Sequence, residues 1–373
     1  MHVKAPASIR SADRGAPGLK GRLALAAIML ILCACAGPKP LLTPAREARP
    51  QWPEAPFAAR IQWVKSVATP EDAGIGKSVW KKALELVTGA DVRQIVKPYG
   101  VLYDDAGRLL IADAGAGVVH LMDSKKGRYT QITAEGGAPF GTPIGLAEDD
   151  ENRLYITDSA ADIVYRYDLE RQSLTPFLRG MERPTGIAYN KVNKMLYISE
   201  TTAHRVTAVD LNGTVKFSFG DLGGPRQTPF NLPTDVATDA KGQVYVTDPL
   251  NYMIKIFTPE GVQVTQFGEM GDTRGELNKP KGIAVDPEGR IYLCDALLDT
   301  VQIFDDQGQF LFSFGATGSE DGAFWMPSGL YIHGGYIFVS DSFNQRVQIF
   351  RYLSGDGDES KAPSTDLLQT TKR

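Results

Sequence analysis

Six acidic residues stand at matching places along the chain. Asp113, Asp158, Glu200, Asp248, Asp295 and Asp341 each close a short apolar stretch such as "LLIAD", "LYITD" or "IFVSD". A ring of carboxylates is the kind of ligand set a divalent cation takes. Six-fold repetition argues otherwise: a single site needs asymmetry, and a group repeated six times does a structural job six times. Asymmetry is found at Asp235. Fourteen to sixteen residues before each acid the chain reads Pro-x-Gly-aliphatic, beginning at Pro98, Pro143, Pro184, Pro280 and Pro327, but at Pro233 the glycine is replaced by Asp235. A carboxylate there could ligate a cation, orient a substrate or pair with a base such as Lys281. A local salt bridge or hydrogen bond is the plainer reading. Asp235 is the one weak metal candidate. No metal site or cofactor is assigned, and a divalent cation in a channel is the only cofactor left open.

The residues just before the prolines are Lys97, Thr142, Arg183, Leu232, Lys279 and Met326. With Tyr99, Lys281 and Trp325 they could form a cationic and aromatic patch suited to an acidic peptide or glycan. The alternative is a set of solvated loop residues. The ligand-binding candidates are therefore Lys97, Tyr99, Arg183, Asp235, Lys279, Lys281 and Trp325. No catalytic residue is assigned, because no Ser-His-Asp order can be defended from spacing. Two lookalikes fail. "AGIGKS" ends like a phosphate-binding loop, but Glu71 stands where the first glycine is needed. "DGDES" begins like a calcium loop at Asp356, yet position six is Lys361 and position twelve Leu367.

The elements that hold these residues follow from the repeat. The prolines recur every 41 to 49 residues, the period of propeller blades rather than of helical solenoids. Six residues past each acid an aliphatic opens another strand: Val119, Val164, Val206, Ile254, Val301 and Val347. Turn sequences "DDAG", "DDEN", "DAKG" and "DPEG" lie between first and second strands, and "NG", "PEG" and "DQG" between third and fourth. Each period holds four alternating strands. Six periods predict an all-β, six-bladed β-propeller.

The pattern resembles the NHL-repeat propeller family over about residues 95–352. Asp341-Ser342-Phe343-Asn344-Gln345-Arg346-Val347 follows that family's "D-s-x-N-x-R-[VI]", and "FGxxGxxxGx[LF]xxP" matches Phe267–Pro280 and Phe314–Pro327. The resemblance implies that the six acids bond backbone and a neighbouring Arg, as Asp341 and Arg346 would. It also implies use as an interaction domain. Lyase propellers of the peptide-amidating type hold a metal with clustered histidines, whereas His120, His204 and His333 fall at unrelated positions. Lactonase-type propellers hold calcium with acids and Asn at the axis, for which Asp235 alone is too little.

The last period lacks a fourth strand after Tyr352. "ARIQWVKSV", ending at Val67, is otherwise unemployed and is predicted to pair as the outer strand of blade six, removing an open edge. Between it and blade one, a helix is expected over Lys77–Thr88 within an insertion at about 71–90, docked on the loop face by the channel mouth. A polar tail at 354–373 is expected to be disordered.

At the other end, basic residues stop at Lys20 and Arg22, and the apolar run "LALAAIMLIL" follows. It is too short to cross a bilayer and fits a signal-peptide core. "LCAC" then resembles the bacterial lipobox, with Cys35 as the acylated first residue after a leader of residues 1–34. The alternative is an ordinary secretory leader. Residues 35–56 read as a Pro-rich tether, unlikely to pack, before a propeller over 57–353. Cys294 lies in an apolar strand and reads as an inert buried thiol. By its resemblance to lipoproteins of enteric-type bacteria, Ala36 after the lipidated position implies an outer-membrane protein facing the periplasm or cell surface.

Past the leader, 35 basic side chains stand against 43 acidic ones, which excludes the basic field of a nucleic-acid binder. The favoured reading is a membrane-tethered envelope propeller that serves as a binding platform for a protein, peptide or glycan. The alternative is a metal-dependent lyase or hydrolase at the channel mouth.

Overall fold

Residues 49–76, 94–220 and 229–353 are described in a computed structural model. The expected leader, Cys35, the helix over 77–88 and the polar tail lie outside the described residues. Among the described residues twenty-five strands, numbered in chain order, build six sheets. Blade one holds β3 (Pro98–Tyr103), β4 (Arg108–Asp113), β5 (Val118–Asp123) and β6 (Arg128–Ile132). Blade two holds β7 (Pro143–Glu148), β8 (Arg153–Asp158), β9 (Ile163–Asp168) and β10 (Ser173–Arg179). Blade three holds β11 (Pro184–Asn190), β12 (Met195–Glu200), β13 (Arg205–Asp210) and β14 (Val215–Phe219). Blade four runs through β15 (Asp235–Thr238), β16 (Val244–Asp248), β17 (Met253–Phe257) and β18 (Gln263–Phe267). Blade five runs through β19 (Pro280–Val285), β20 (Ile291–Asp295), β21 (Thr300–Phe304) and β22 (Phe310–Phe314). Blade six has β23 (Pro327–His333), β24 (Tyr336–Asp341) and β25 (Arg346–Tyr352), joined by β1 (Gln51–Trp52) and β2 (Ile61–Val67) from near the chain start. The predicted six-bladed all-β propeller is the fold observed.

The middle strands are buried along almost their whole length, as in β4, β8 and β20. Both faces of each blade press on neighbours, so these strands read as continuous apolar runs, whereas the outermost strand β18 is largely exposed. Six hydrophobic clusters result, each shared by two adjacent blades. Tyr197, Val206 and Phe219 of blade three meet Val236, Val246 and Phe257 of blade four, and Val101 and Ile111 of blade one meet Phe338 and Ile349 of blade six. The second contact closes the ring.

β2 pairs antiparallel with β25 from Ile61↔Tyr352 to Val67↔Val347, as the sequence predicts. A register shift between Trp63 and Lys65 turns Val64 and Val67 toward blade one while Ile61 stays in the core between blades five and six. One strand thus feeds two cores. The expectation of an unpacked tether through residue 56 is corrected. Gln51 and Trp52 pair with Gln62 and Ile61. The Trp52 ring lies 5.9 Å from Phe314 and 5.8 Å from Phe350. Proline content masked the short pairing segment between the prolines, and the burial of one indole repays its ordering.

The six acids do the structural job expected. Asp113 accepts N–H bonds from Val96 and Lys97 at 2.7 and 2.9 Å. Asp158 accepts from Gly141 and Thr142, and Asp295 from Asn278 and Lys279. Each carboxylate therefore fixes the turn that feeds its own blade's first strand. Asp341 also receives Arg346 Nε at 2.8 Å, the pairing implied by the NHL resemblance. The residue seven positions after the acid faces it from the third strand. His120 Nε2 lies 3.0 Å from Asp113, Lys255 Nζ 2.7 Å from Asp248 and Gln348 Nε2 3.1 Å from Asp341.

Candidate functional site: the axial neck and the loop face above it

Five of the six first strands have a register irregularity straight after their proline, which turns the next two residues toward the axis. Glycine is required at the second of these because adjacent blades nearly touch there. A Cβ placed on Gly329 would sit 1.9 Å from the carbonyl oxygen of Tyr99, and one on Gly186 2.5 Å from Cα of Asp235. Blade four pairs without the irregularity, from Asp235↔Thr247 onward. There the Asp235 side chain fills the gap: Oδ2 accepts the Ile283 N–H of blade five at 3.1 Å, and Oδ1 accepts the Val236 N–H at 2.9 Å. The local hydrogen bond is thus the contact formed. Burial drives the Asp235 carboxyl up to about 7 against the pull of these two donors.

Across the axis on blade one stands Tyr99. Lys281 of blade five places Nζ 5.5 Å from the centre of its ring. The Tyr99 phenol is held far above its usual range, first by burial and then by the nearby Asp235 charge. Burial, reinforced by the Lys279 and Lys97 charges, brings Lys281 down to about 8. Tyr99, Asp235 and Lys281 therefore meet at one axial neck, with Cys294 buried behind it.

The other candidates sit on the rim of this end, where second-to-third and fourth-to-first connections emerge. Lys97, Arg183 and Lys279 are exposed. Lys97 Nζ lies 5.4 Å from the Phe343 ring centre, and Trp325 packs 5.6 Å from the same ring. The Trp325 N–H donates to Asp341, the Lys279 N–H to Asp295 and the Arg183 N–H to Asp162. Arg183 stands apart on blade three. It acts on the neck only through charge, drawing the Tyr99 phenol downward as the smallest of the causes on it.

One feature of the face escaped the sequence analysis. Two residues past each acid the loop tip holds Gly115, Ala160 and Thr202 in blades one to three, but Leu250, Leu297 and Phe343 in blades four to six. The last three are 52%, 54% and 46% exposed, and Trp325 is 53% exposed. Aligning the repeats on their acids would have revealed this step from small to large.

No three His, Cys, Asp or Glu side chains converge to hold a metal among the described residues.

Five four-stranded sheets and one of five strands, set around one axis with a neck of Tyr99, Asp235 and Lys281, define a six-bladed β-propeller. The family model described as "SMP-30/Gluconolactonase/LRE-like region" matches residues 82–268, half of the chain, and the chain belongs to that family. The NHL-type resemblance read from the repeats is consistent with this match. Among solved structures, a virginiamycin B lyase from Staphylococcus aureus superposes with a TM-score of 0.53 at 14% identity, over 70% of this chain and 96% of that one. A structural genomics protein of unknown function from Bacteroides thetaiotaomicron gives 0.60 at 13% identity, over 79% and 76%. An auxiliary nutrient binding protein from the same organism gives 0.56 at 16%, over 71% of each. At these identities the likeness is one of fold.

Proposed function

We propose that the chain is a lipid-anchored envelope protein whose propeller serves as a binding platform, taking an acidic, apolar-bearing segment of another envelope protein on the loop face. The observation that carries this reading is the confinement of exposed Leu250, Leu297 and Phe343 to one loop position of three consecutive blades. Large apolar groups left in water at corresponding places form a patch of the kind proteins use for association. Lys97 and Lys279 on the same rim favour an acidic partner, and the Trp325–Phe343 pair supplies the aromatic anchor such interfaces use. A peptide suits aliphatic Leu250 and Leu297 better than a glycan does.

Affinity capture from detergent-solubilised membranes tests this. Partners held by wild type should fall at least tenfold with Phe343→Ala/Trp325→Ala and with Lys97→Glu/Lys279→Glu, and persist with Lys191→Ala on the opposite face. Equal capture by all four proteins would remove the loop face from the account.

A second reading, a lyase or hydrolase at the channel mouth, draws on Asp235 and Lys281, each shifted toward neutrality and each near Tyr99. Asp235→Asn separates the two: it should leave partner capture unchanged, whereas an enzyme of this kind would lose turnover.

A further inference from the structure

Below the neck the channel widens into a cavity of about 310 Å³ that opens beside the first hairpins, at the end opposite the loop face. Its size is that of small-molecule pockets. Apolar side chains wall it, among them Leu102, Leu146, Ile187, Leu330 and Ile332. Polar groups also line it: Glu148 at the end of β7, Tyr331 on β23, Tyr189, Lys191, Thr238 and Asp239 of blades three and four, and Tyr99 and Asp235 at the neck.

The charges around Glu148 do not balance. Its Oε1 takes a 3.4 Å contact from Arg108 Nη2, but the same guanidinium is already bound through Nε to Asp104. Asp149 is paired with Arg153 at 2.6 Å, and exposed Asp105 faces His333 at 3.5 Å. Glu148 therefore shares one arginine with Asp104 while Asp105 and Asp149 add like charge, and burial together with these acids lifts its carboxyl to about 7. At the mouth, Lys191 and Lys194 are both drawn to Asp150. Tyr331, partly buried, lines the same cavity with its hydroxyl near the charges of Glu148, Asp105 and Asp104 and without a hydrogen-bond partner among the described residues. A ligand atom seated between it and Glu148 would give it one.

We propose that this cavity binds a small aliphatic ammonium ion, its charge held between the Glu148 carboxylate and the Tyr331 hydroxyl oxygen and its carbon chain against Leu102, Leu146 and Ile332. The ammonium donates to both oxygens, and the Tyr331 O–H is left free to donate to Glu148. Around Glu148 and Tyr331 the surplus of acids disfavours a carboxylate of the same shape. The inference stands independently of the loop-face reading, since the two sites lie at opposite ends of the channel.

Isothermal titration of the full chain with hexylamine, hexanol and hexanoate tests it. Hexylamine should bind saturably at pH 8, with hexanol and hexanoate at least tenfold weaker. Its affinity should fall at pH 6, where Glu148 takes up a proton while the amine keeps its charge. Glu148→Gln should weaken hexylamine at least tenfold without lowering the melting temperature, and Tyr331→Phe should weaken it less. Leu146→Trp, which fills the cavity and leaves the charges alone, should abolish binding. Hexanoate binding as well as hexylamine, indifference to Glu148→Gln, or no saturable binding at millimolar amine would each overturn the proposal.

Discussion

Asp235 carries the pH dependence expected of the neck. Its carboxyl titrates at about 7 in the fold against an ordinary value near 3.8. A raised native pKa means that the folded state keeps a proton the unfolded chain releases. The associated stability is fully present below the unfolded value and is lost as pH rises through 7. Asp235→Asn, whose Oδ1 can still accept the Ile283 N–H, should therefore melt with wild type near pH 4 and exceed it by about 3 kcal/mol at pH 8. Chemical denaturation at the two pH values measures the difference; equal gaps at both would mean the carboxyl titrates normally. Lys255 offers the converse case. It is buried with Asp248 at 2.7 Å, also donates to the Pro229 carbonyl at 2.9 Å and lies 5.1 Å from the Phe230 ring. Lys255→Met would strand a buried carboxylate and should cost about 3–5 kcal/mol in urea unfolding at pH 7.

At the scale of elements, the strand from near the chain start governs closure. β2 buries Ile61, Val64 and Val67 in two separate cores, worth roughly 5 kcal/mol at about 1.5–3 kcal/mol each. That is comparable to the whole stability of a domain. Deleting residues 57–68 should abolish the single cooperative unfolding transition seen by calorimetry; an unchanged transition would show that blade six is complete with three strands. Trp52→Ala, which removes only the indole between Phe314 and Phe350, should keep cooperativity and cost about 3 kcal/mol.

For the whole molecule, the two ends of the channel differ in chemistry. The loop face presents apolar tips over blades four to six beside Lys97 and Lys279, while the hairpin end gathers acids around Glu148. A platform facing a partner in the envelope would present the first end and leave the second to small molecules. The lipid anchor proposed for Cys35 is tested at the same scale. Cys35→Ser should shift the protein from the membrane to the soluble fraction and abolish incorporation of labelled fatty acid. Retention of label would move the anchor elsewhere.

The blade count, strand boundaries and return of residues 61–67 to blade six were legible in the sequence. They depend on a local pattern, proline and glycine ahead of an alternating strand and an acid behind it, that repeats often enough to fix its own register. Asp235 was singled out by the same repetition, as its one broken member. Other features were not legible. Trp52 sits among prolines, and only the approach of Phe314 and Phe350, some 260 to 300 residues away, makes its burial worth the ordering. Glu148 and Tyr331 belong to blades two and six and carry no signal in their own repeats. Their shared cavity, and the surplus of carboxylates around it, come into being when the ring closes and brings distant charges together in a medium where water no longer screens them. The sequence thus determined the repeating unit and its closure. Which side chains meet at the axis, and how their charges sum, was decided by tertiary structure, because electrostatics and burial act through space and have no period along the chain.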